Sequence, residues 1–413
     1  MNKIDEIVNG KRVIVKKPEL LAPASNLEKL KIAINYGADA VYFGGQDFGL
    51  RANASNFSLE QIKEAADYAH EHKAKVYVTV NIIFHNDDVE GLDEYLKGLE
   101  DAGVDAIMVA DPLVIERVKR VAPNLDIFIS TQQSTINFEA VNFWAKEGAK
   151  RIVLAREASK DEIKEMIEKT DIGIETFIHG SMCMGYSGRC SLSNHMTMRD
   201  SNRGGCSQNC RWEWQLVDEN NDIVDEDKLF SMSAKDLVMI KEIPEMIELG
   251  ICAFKIEGRM RSMHYIASVV NLYRKLIDEY SLDPDNFVLN DFYEKEAKKS
   301  ANRQYASQYF NGFPTKDEQY YNMRDEKPTQ EFIGIVLAYD DINNMALIEQ
   351  RNYFKKGDII EIFGPEIDNF EFIVDEIFDE DGNEIDIIRH PRQIVKIKVP
   401  KKIYKDDMIR LVK

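Results

Sequence analysis

Cysteine is scarce in this chain, five residues in 413. That excludes a disulfide-built scaffold, which belongs to small secreted domains. Long apolar runs are missing, so nothing reads as a membrane-spanning helix and no membrane partner is expected. The opening MNKIDEIVNGKRVIVKKPELL has no apolar core of the kind a signal peptide needs, which makes the cytoplasm the expected location. Positive charge is in deficit: 53 Lys and Arg stand against 72 Asp and Glu, a net charge of −19. Such a balance disfavours non-specific grip on phosphate backbones and leaves room only for a local basic site. The G-x-S-x-G elbow and the H-E-x-x-H helix are both absent, so the common serine and zinc hydrolase signatures have no foothold.

What is present is ordinary for a soluble globular protein, with 44% hydrophobic and 30% charged residues. The length suits two or three domains. Short apolar runs predict strands at 19–24 (ELLAPA), 40–45 (AVYFGG), 75–81 (KVYVTVN), 106–111 (AIMVAD), 126–131 (DIFIST), 151–157 (RIVLARE), 174–180 (IETFIHG) and 253–259 (AFKIEGR). Helical patterns lie between them. NLEKLKIAINYGA stops at Gly37. SLEQIKEAADYAHEHK opens on a Ser58 cap with Glu60 near its start. SKDEIKEMIEKT carries Ser159 three residues before Glu162.

Eight strands alternating with helices predict an α/β fold, a TIM-like (β/α)8 barrel. A doubly wound sheet is the alternative, but its glycine-rich phosphate turn is missing after the first strand, which ends APASN. The gap between the seventh and eighth strands exceeds one helix and two loops. It places an insertion at 181–250, with a strand–turn candidate KLFSMSAKDL and a helix VMIKEIPEMIELG in its later part. The expected domains are a barrel over 1–284, a polar connector over 285–328, and a small all-β barrel over 329–413. The acidic run DEIFDEDGNEID reads as a solvated hairpin.

Four of the five cysteines fall in the insertion, as Cys183, Cys190, Cys206 and Cys210, spaced Cys-x6-Cys-x15-Cys-x3-Cys. Thiolates are soft ligands for zinc or iron–sulfur clusters. Structural zinc favours tighter Cys-x2-Cys knuckles. The irregular spacing, with Gly185, Gly188, Gly204 and Gly205 beside it, better suits loops converging on a cluster. Four cysteines are the complement of a four-iron four-sulfur centre. Inert buried thiols and a redox pair are the competing readings. Cys252, in the apolar run ICAFKI, reads as core. The same segment is locally basic, with Arg189, Arg199, Arg203 and Arg211 against Asp200.

The run Glu175-x-Phe177-x2-Gly180-Ser181-Met182-Cys183-x4-Gly188-x-Cys190-x-Leu192-Ser193 resembles the signature of peptidase family U32, the collagenase-like proteases. ELLAPA, AVYFGG, STQQS, the Arg-Asp-x-Asn-Arg-Gly-Gly-Cys run, Cys-Arg-Trp and FKIEGR extend the resemblance over most of the chain. It implies a (β/α)8 domain followed by a β module. The bacterial branches it looks closest to imply tRNA hydroxylation, giving 5-hydroxyuridine at the wobble position. Others imply action on ribosomal RNA cytidine or in ubiquinone hydroxylation. The resemblance further implies an iron–sulfur cluster and prephenate as a small acidic co-substrate, with tRNA and a homologous U32 chain as partners. Cys183, Cys190 and Cys206 match the family's cluster cysteines. Cys210 is the natural fourth, since Val238 stands where some relatives carry cysteine, and Cys252 is the reserve. The family name implies an endopeptidase instead, and a zinc site would accord with it. A non-catalytic partner subunit is the third reading.

The remaining candidates lie at strand ends, where barrel enzymes do their chemistry. Gln132, Gln133, Glu157, His179, Glu257, Arg259 and Arg261 are the first set. Arg259 and Arg261 alternate, so one of them faces the barrel mouth. An arginine fork suits a carboxylate or phosphate, although Glu257 and Arg259 could equally form a structural ion pair. His179, Glu157 and Glu257 are candidate acid–base groups, with a satisfied strand-end histidine the plainer reading of His179. Tyr42, Arg51 and Asn81 are weaker candidates. Arg211, Trp212 and Trp214 could stack on a base, while shielding a cluster or packing a core is the plainer role for the tryptophans. His195 is the base available to a thiol nucleophile.

Overall fold

The computed structural model describes residues 4–50, 56–225, 229–300, 304–319 and 330–412. Eight strands form the barrel: β1 Glu19–Pro23, β2 Ala40–Gly44, β3 Lys75–Val80, β4 Ala106–Val109, β5 Asp126–Ile129, β6 Arg151–Val153, β7 Gly173–Gly180 and β8 Ala253–Ile256. All neighbours run parallel, and Ala253 of β8 pairs with both Glu175 of β7 and Glu19 of β1, which closes the ring. Every strand was legible as an apolar run because a parallel barrel buries both faces of its strands. The lumen is packed by Leu21, Ala40, Tyr42, Tyr77, Ala106, Met108 and Phe128.

The helices begin where their caps predict. Ser159 Oγ accepts from the Glu162 amide while the Glu162 carboxylate accepts from the Ser159 amide. Ser58 does the same with Gln61; Glu60 is in that first turn and accepts from Ser58 Oγ at 2.8 Å. Each such cap contributes about 1 kcal/mol by satisfying amides the helix cannot.

One expectation in the insertion needs correction. The helix read over VMIKEIPEMIELG is confined to Ile243–Glu248, because Pro244 fits only the first helical turn. Residues Asp236–Val238 ahead of it form a strand antiparallel to the end of β7. The polar stretch 285–328 is also more than a connector. It contains the helix Asp291–Ser300, which packs on the long helix Met263–Leu282 and buries Tyr293 and Ala297.

The C-terminal domain is a seven-stranded antiparallel sheet. Its edges are Ile367–Ile373 and Ile377–Phe378, and Met408–Val412 and Gln330–Asp340 lie inside it. Alternate residues such as Ala346 and Ile348, Ile360 and Ile362, and Val395 and Ile397 form one apolar core of its own. The acidic run folds back at Gly382, with Asp379 Oδ1 accepting from the Asn383 amide, and its acidic side chains face outward. The domain is tied to the barrel by Arg410, fully buried, which binds Glu296 at 2.7 Å and Glu361 at 2.8 Å.

Beside this junction Asp407 is 1% exposed and accepts from the Tyr404 amide at 2.8 Å. Burial pushes its pKa up to about 7, helped by Glu366 and Asp406. Folding raises this pKa, so the associated stability is present at low pH and is lost as pH rises from the unfolded value through about 7. Asp407→Asn removes the buried charge. It is expected to stabilise by about 2–4 kcal/mol at pH 8 and by nothing measurable near pH 4. Urea unfolding at the two pH values checks this.

Candidate active site

The cysteine segment leaves β7 through Gly180, whose φ is +117° and whose absent Cβ would stand 2.7 Å from the Glu257 carbonyl oxygen. Only glycine allows that approach. The chain then turns back over the C-terminal mouth of the barrel. Gly188 lies directly on the Gln132 backbone, where a Cβ would clash with its carbonyl. Ser187 donates its amide to Glu157 Oε1 at 2.9 Å and accepts from Ser134 Oγ at 2.5 Å. Asn202 donates to the Cys190 carbonyl at 3.2 Å, and its own carbonyl accepts from the Ile83 amide at 3.1 Å. Buried Ser193 and Asn209 bond each other at 3.0 Å and pin the short helix Leu192–Thr197 to the Cys206–Cys210 segment. Arg203 pairs with Asp88 at the rim.

A cavity of about 230 Å3 lies beneath this cover. Cys183, Cys190, Cys206 and Cys210 all line it, together with Gln132, Glu157, Glu257 and Arg259. Cys183 and Cys206 are exposed; Cys190 and Cys210 are half-buried. Burial pushes the Cys210 thiol up, Arg211 opposes it, and the charges of Cys183, Cys206 and Cys190 add to the rise. Four sulfurs thus share one neighbourhood. Among the described residues no three His, Cys, Asp or Glu groups are closed into a metal cage. The donor set is nonetheless all thiol, which suits a soft centre, and it fits an iron–sulfur cluster. Cys252 stands apart, near Gly173 and Arg151 at the opposite end of the barrel, and burial pushes its thiol up to about 11. It does not line the cavity.

Arg259 enters the cavity, 5% exposed, donating to Thr79 Oγ1 at 3.1 Å and to the Leu50 carbonyl. Arg261 turns away to Asp236 at 3.4 Å and stacks on Tyr265. One of the two faces the mouth, though not by strand alternation: β8 ends at Ile256 and both arginines lie in the following turn. Glu157 is 9% exposed, and its Oε2 has no hydrogen-bond partner among the described residues. His179 lies outside the cavity, 3.2 Å from Tyr273 Oη and edge-on to Tyr265. Burial, with Arg261 adding, pushes its pKa down to about 3, so it is neutral at physiological pH. Gln133 donates to the Ala110 carbonyl, and Arg211 to Gln208 at 3.3 Å; neither lines the cavity. Trp212 and Trp214 stack at 5.7 Å on the surface of the segment, Trp212 45% exposed, and neither joins the apolar core. Tyr42 and Asn81 line the cavity, and Arg51 lies outside the described residues.

Sequence reasoning missed Lys255 and Arg156, both in the cavity lining. The signal for Lys255 was a single cation between Phe254 and Ile256 in an otherwise apolar strand. Arg156 lies over the Phe177 ring at 4.0 Å and donates to the Ser181 carbonyl at 2.7 Å.

The family model described as peptidase family U32 matches residues 25–320, and that of its C-terminal domain matches 328–410. The chain belongs to peptidase family U32. It is 57% identical to tRNA hydroxylation protein P1 of Bacillus subtilis, over 99% of this chain and 98% of that one. It is 37% identical to an uncharacterized protease of Methanocaldococcus jannaschii, over 84% of this chain and 86% of the relative. A 23S rRNA 5-hydroxycytidine synthase of Escherichia coli is 40% identical over 63% of this chain and 39% of its own length. Among the described residues no helix is long and apolar enough to cross a membrane.

Proposed function

We propose that this U32 chain hydroxylates tRNA, at the wobble uridine, with a four-iron four-sulfur cluster on Cys183, Cys190, Cys206 and Cys210 and prephenate as co-substrate. The observation that carries the reading is the shared cavity: four thiols, Arg259 and Glu157 face one space at the barrel mouth. Relatives named for tRNA and ribosomal RNA hydroxylation support the reaction class. A cluster held by these four cysteines would supply one-electron redox chemistry.

The chain's own residues do the rest. Arg259 presents its guanidinium fork to a carboxylate of the acidic co-substrate. The free Oε2 of Glu157 accepts a proton, while the Ser187 amide fixes the other carboxylate oxygen. The segment 181–214 covers the mouth and brings the four thiols to it. Exposed Arg189 and Arg199 offer phosphate contacts, and exposed Trp212 offers a stacking face, to a single-stranded loop. A homologous U32 chain is the proposed protein partner. Peptide hydrolysis has less support: a thiol nucleophile needs a base, and no histidine lines the cavity among the described residues.

Nucleoside mass spectrometry of tRNA from a strain lacking this gene, and without a paralogue to cover, is the test. Loss of wobble 5-hydroxyuridine and its derivatives is expected. Full retention contradicts the proposal.

A further inference from the structure

Lys255 is a buried cation with no role so far. It is 4% exposed in the middle of β8, yet it lines the cavity. Burying a bare ammonium is strongly unfavourable, so such a lysine needs a fixed partner. Glu175 provides it, with Nζ to Oε1 at 3.0 Å. Nζ also donates to Met108 Sδ at 2.9 Å and stands 4.4 Å from the centre of the Tyr42 ring. Burial pushes its pKa down, and Glu175 works against that shift. An ammonium has three donors and no acceptor. Two are committed, which leaves one for a molecule in the cavity.

Glu175 is held in turn. Its other oxygen accepts from Arg151 at 3.1 Å, Arg151 binds Glu19 at 2.6 Å, and Tyr77 donates to Glu19 at 2.8 Å. Two cations and two carboxylates balance along this chain, so Lys255 is oriented without surplus buried charge. Arg259 arrives from the rim. It bonds Thr79, and Thr79 is the register partner of Met108 on the adjacent strand. Neighbouring strands lie about 4.8 Å apart. Lys255 and Arg259 line the same cavity of about 230 Å3, so one small molecule can meet both. Phe177 and Met182 add apolar wall.

The geometry points to Lys255 and Arg259 as a two-point clamp for a small organic acid with a second oxygen acceptor beside its carboxylate, as in a 2-oxo acid. Arg259 takes the carboxylate, since the fork fits it. Lys255, a point charge, takes the single carbonyl oxygen. The inference rests on the proposed acidic co-substrate and adds the residue that selects it.

The test is calorimetric titration of the anaerobically purified full chain with phenylpyruvate and with 3-phenylpropionate, which shares the ring and carboxylate and lacks the keto oxygen. The wild type is expected to favour phenylpyruvate roughly tenfold or more, as one hydrogen bond to a charged donor implies. Lys255→Met combined with Glu175→Gln leaves neither partner as an unpaired charge. That variant is expected to bind both acids alike, whereas Arg259→Gln weakens both. The wild-type comparison stands without any variant. A wild type that binds neither acid or both equally, or a double variant that keeps the preference, overturns the clamp. The titration does not read RNA chemistry. A deletion strain that kept its hydroxyuridine would remove the tRNA reading and leave the clamp standing.

Discussion

Cys183→Ser is expected to reduce tRNA hydroxylation to background, at least about 100-fold, in cells that depend on this chain. Cys190→Ser, Cys206→Ser and Cys210→Ser are expected to do the same, and pairs of them no more than one alone, because ligands of one centre act as a unit. Iron content should fall with activity. The fold should survive at Cys183 and Cys206, whose side chains are exposed and take no part in the apolar core. That separation distinguishes a catalytic centre from a cluster that serves only stability. If serine at these two positions unfolds the protein, the chain is the non-catalytic subunit of the third reading. If Cys183→Ser keeps wild-type hydroxylation, the cluster assignment is wrong. Thermal unfolding and nucleoside analysis on the same variants make the distinction.

Arg410→Met is expected to destabilise the protein by about 3–5 kcal/mol, the usual penalty for breaking a buried ion pair from one side. Arg410 is fully buried, with Glu296 on the helix after the barrel and Glu361 in the β domain. Lys299 is the second cation of the cluster, 2.7 Å from Glu296 and 2.8 Å from Glu361. Burial pushes the Glu361 carboxyl up, but Arg410 and Lys299 outweigh it and hold its pKa below the usual carboxylate range. Without Arg410 one lysine faces two carboxylates. Adding Glu296→Gln should recover much of the loss. Urea unfolding of the single and double variants reads both effects, and a loss below about 1 kcal/mol would place the junction's stability elsewhere.

The architecture was legible wherever the physics is local. Strands buried on both faces show as apolar runs, and Ser159 with Glu162 marks a helix start in four residues. The cysteine segment was legible because cysteines are rare in this chain and four of the five are clustered. What required the closed ring was not. Glu19, Arg151, Glu175 and Lys255 are far apart in sequence and meet only because β8 pairs with both β7 and β1. The same holds for Arg410 and Glu296, 114 residues apart. Arg259 and Arg261 read as alternating strand residues, but the strand stops at Ile256 and a turn decides which one enters the cavity. His179 ends a strand in sequence, yet the helix Met263–Leu282 covers it with Tyr265 and Tyr273. Strand-end position marks candidates, and packing from distant elements selects among them.

The central claim is that four thiols at the barrel mouth hold a redox cluster and not a hydrolytic metal. Paired iron, sulfide and zinc analysis of anaerobically purified protein, with its visible absorption, tests it most directly. The account predicts a brown protein with about four irons and four sulfides per chain. A colourless protein with about one zinc, or one that takes up no metal after anaerobic reconstitution, would contradict it.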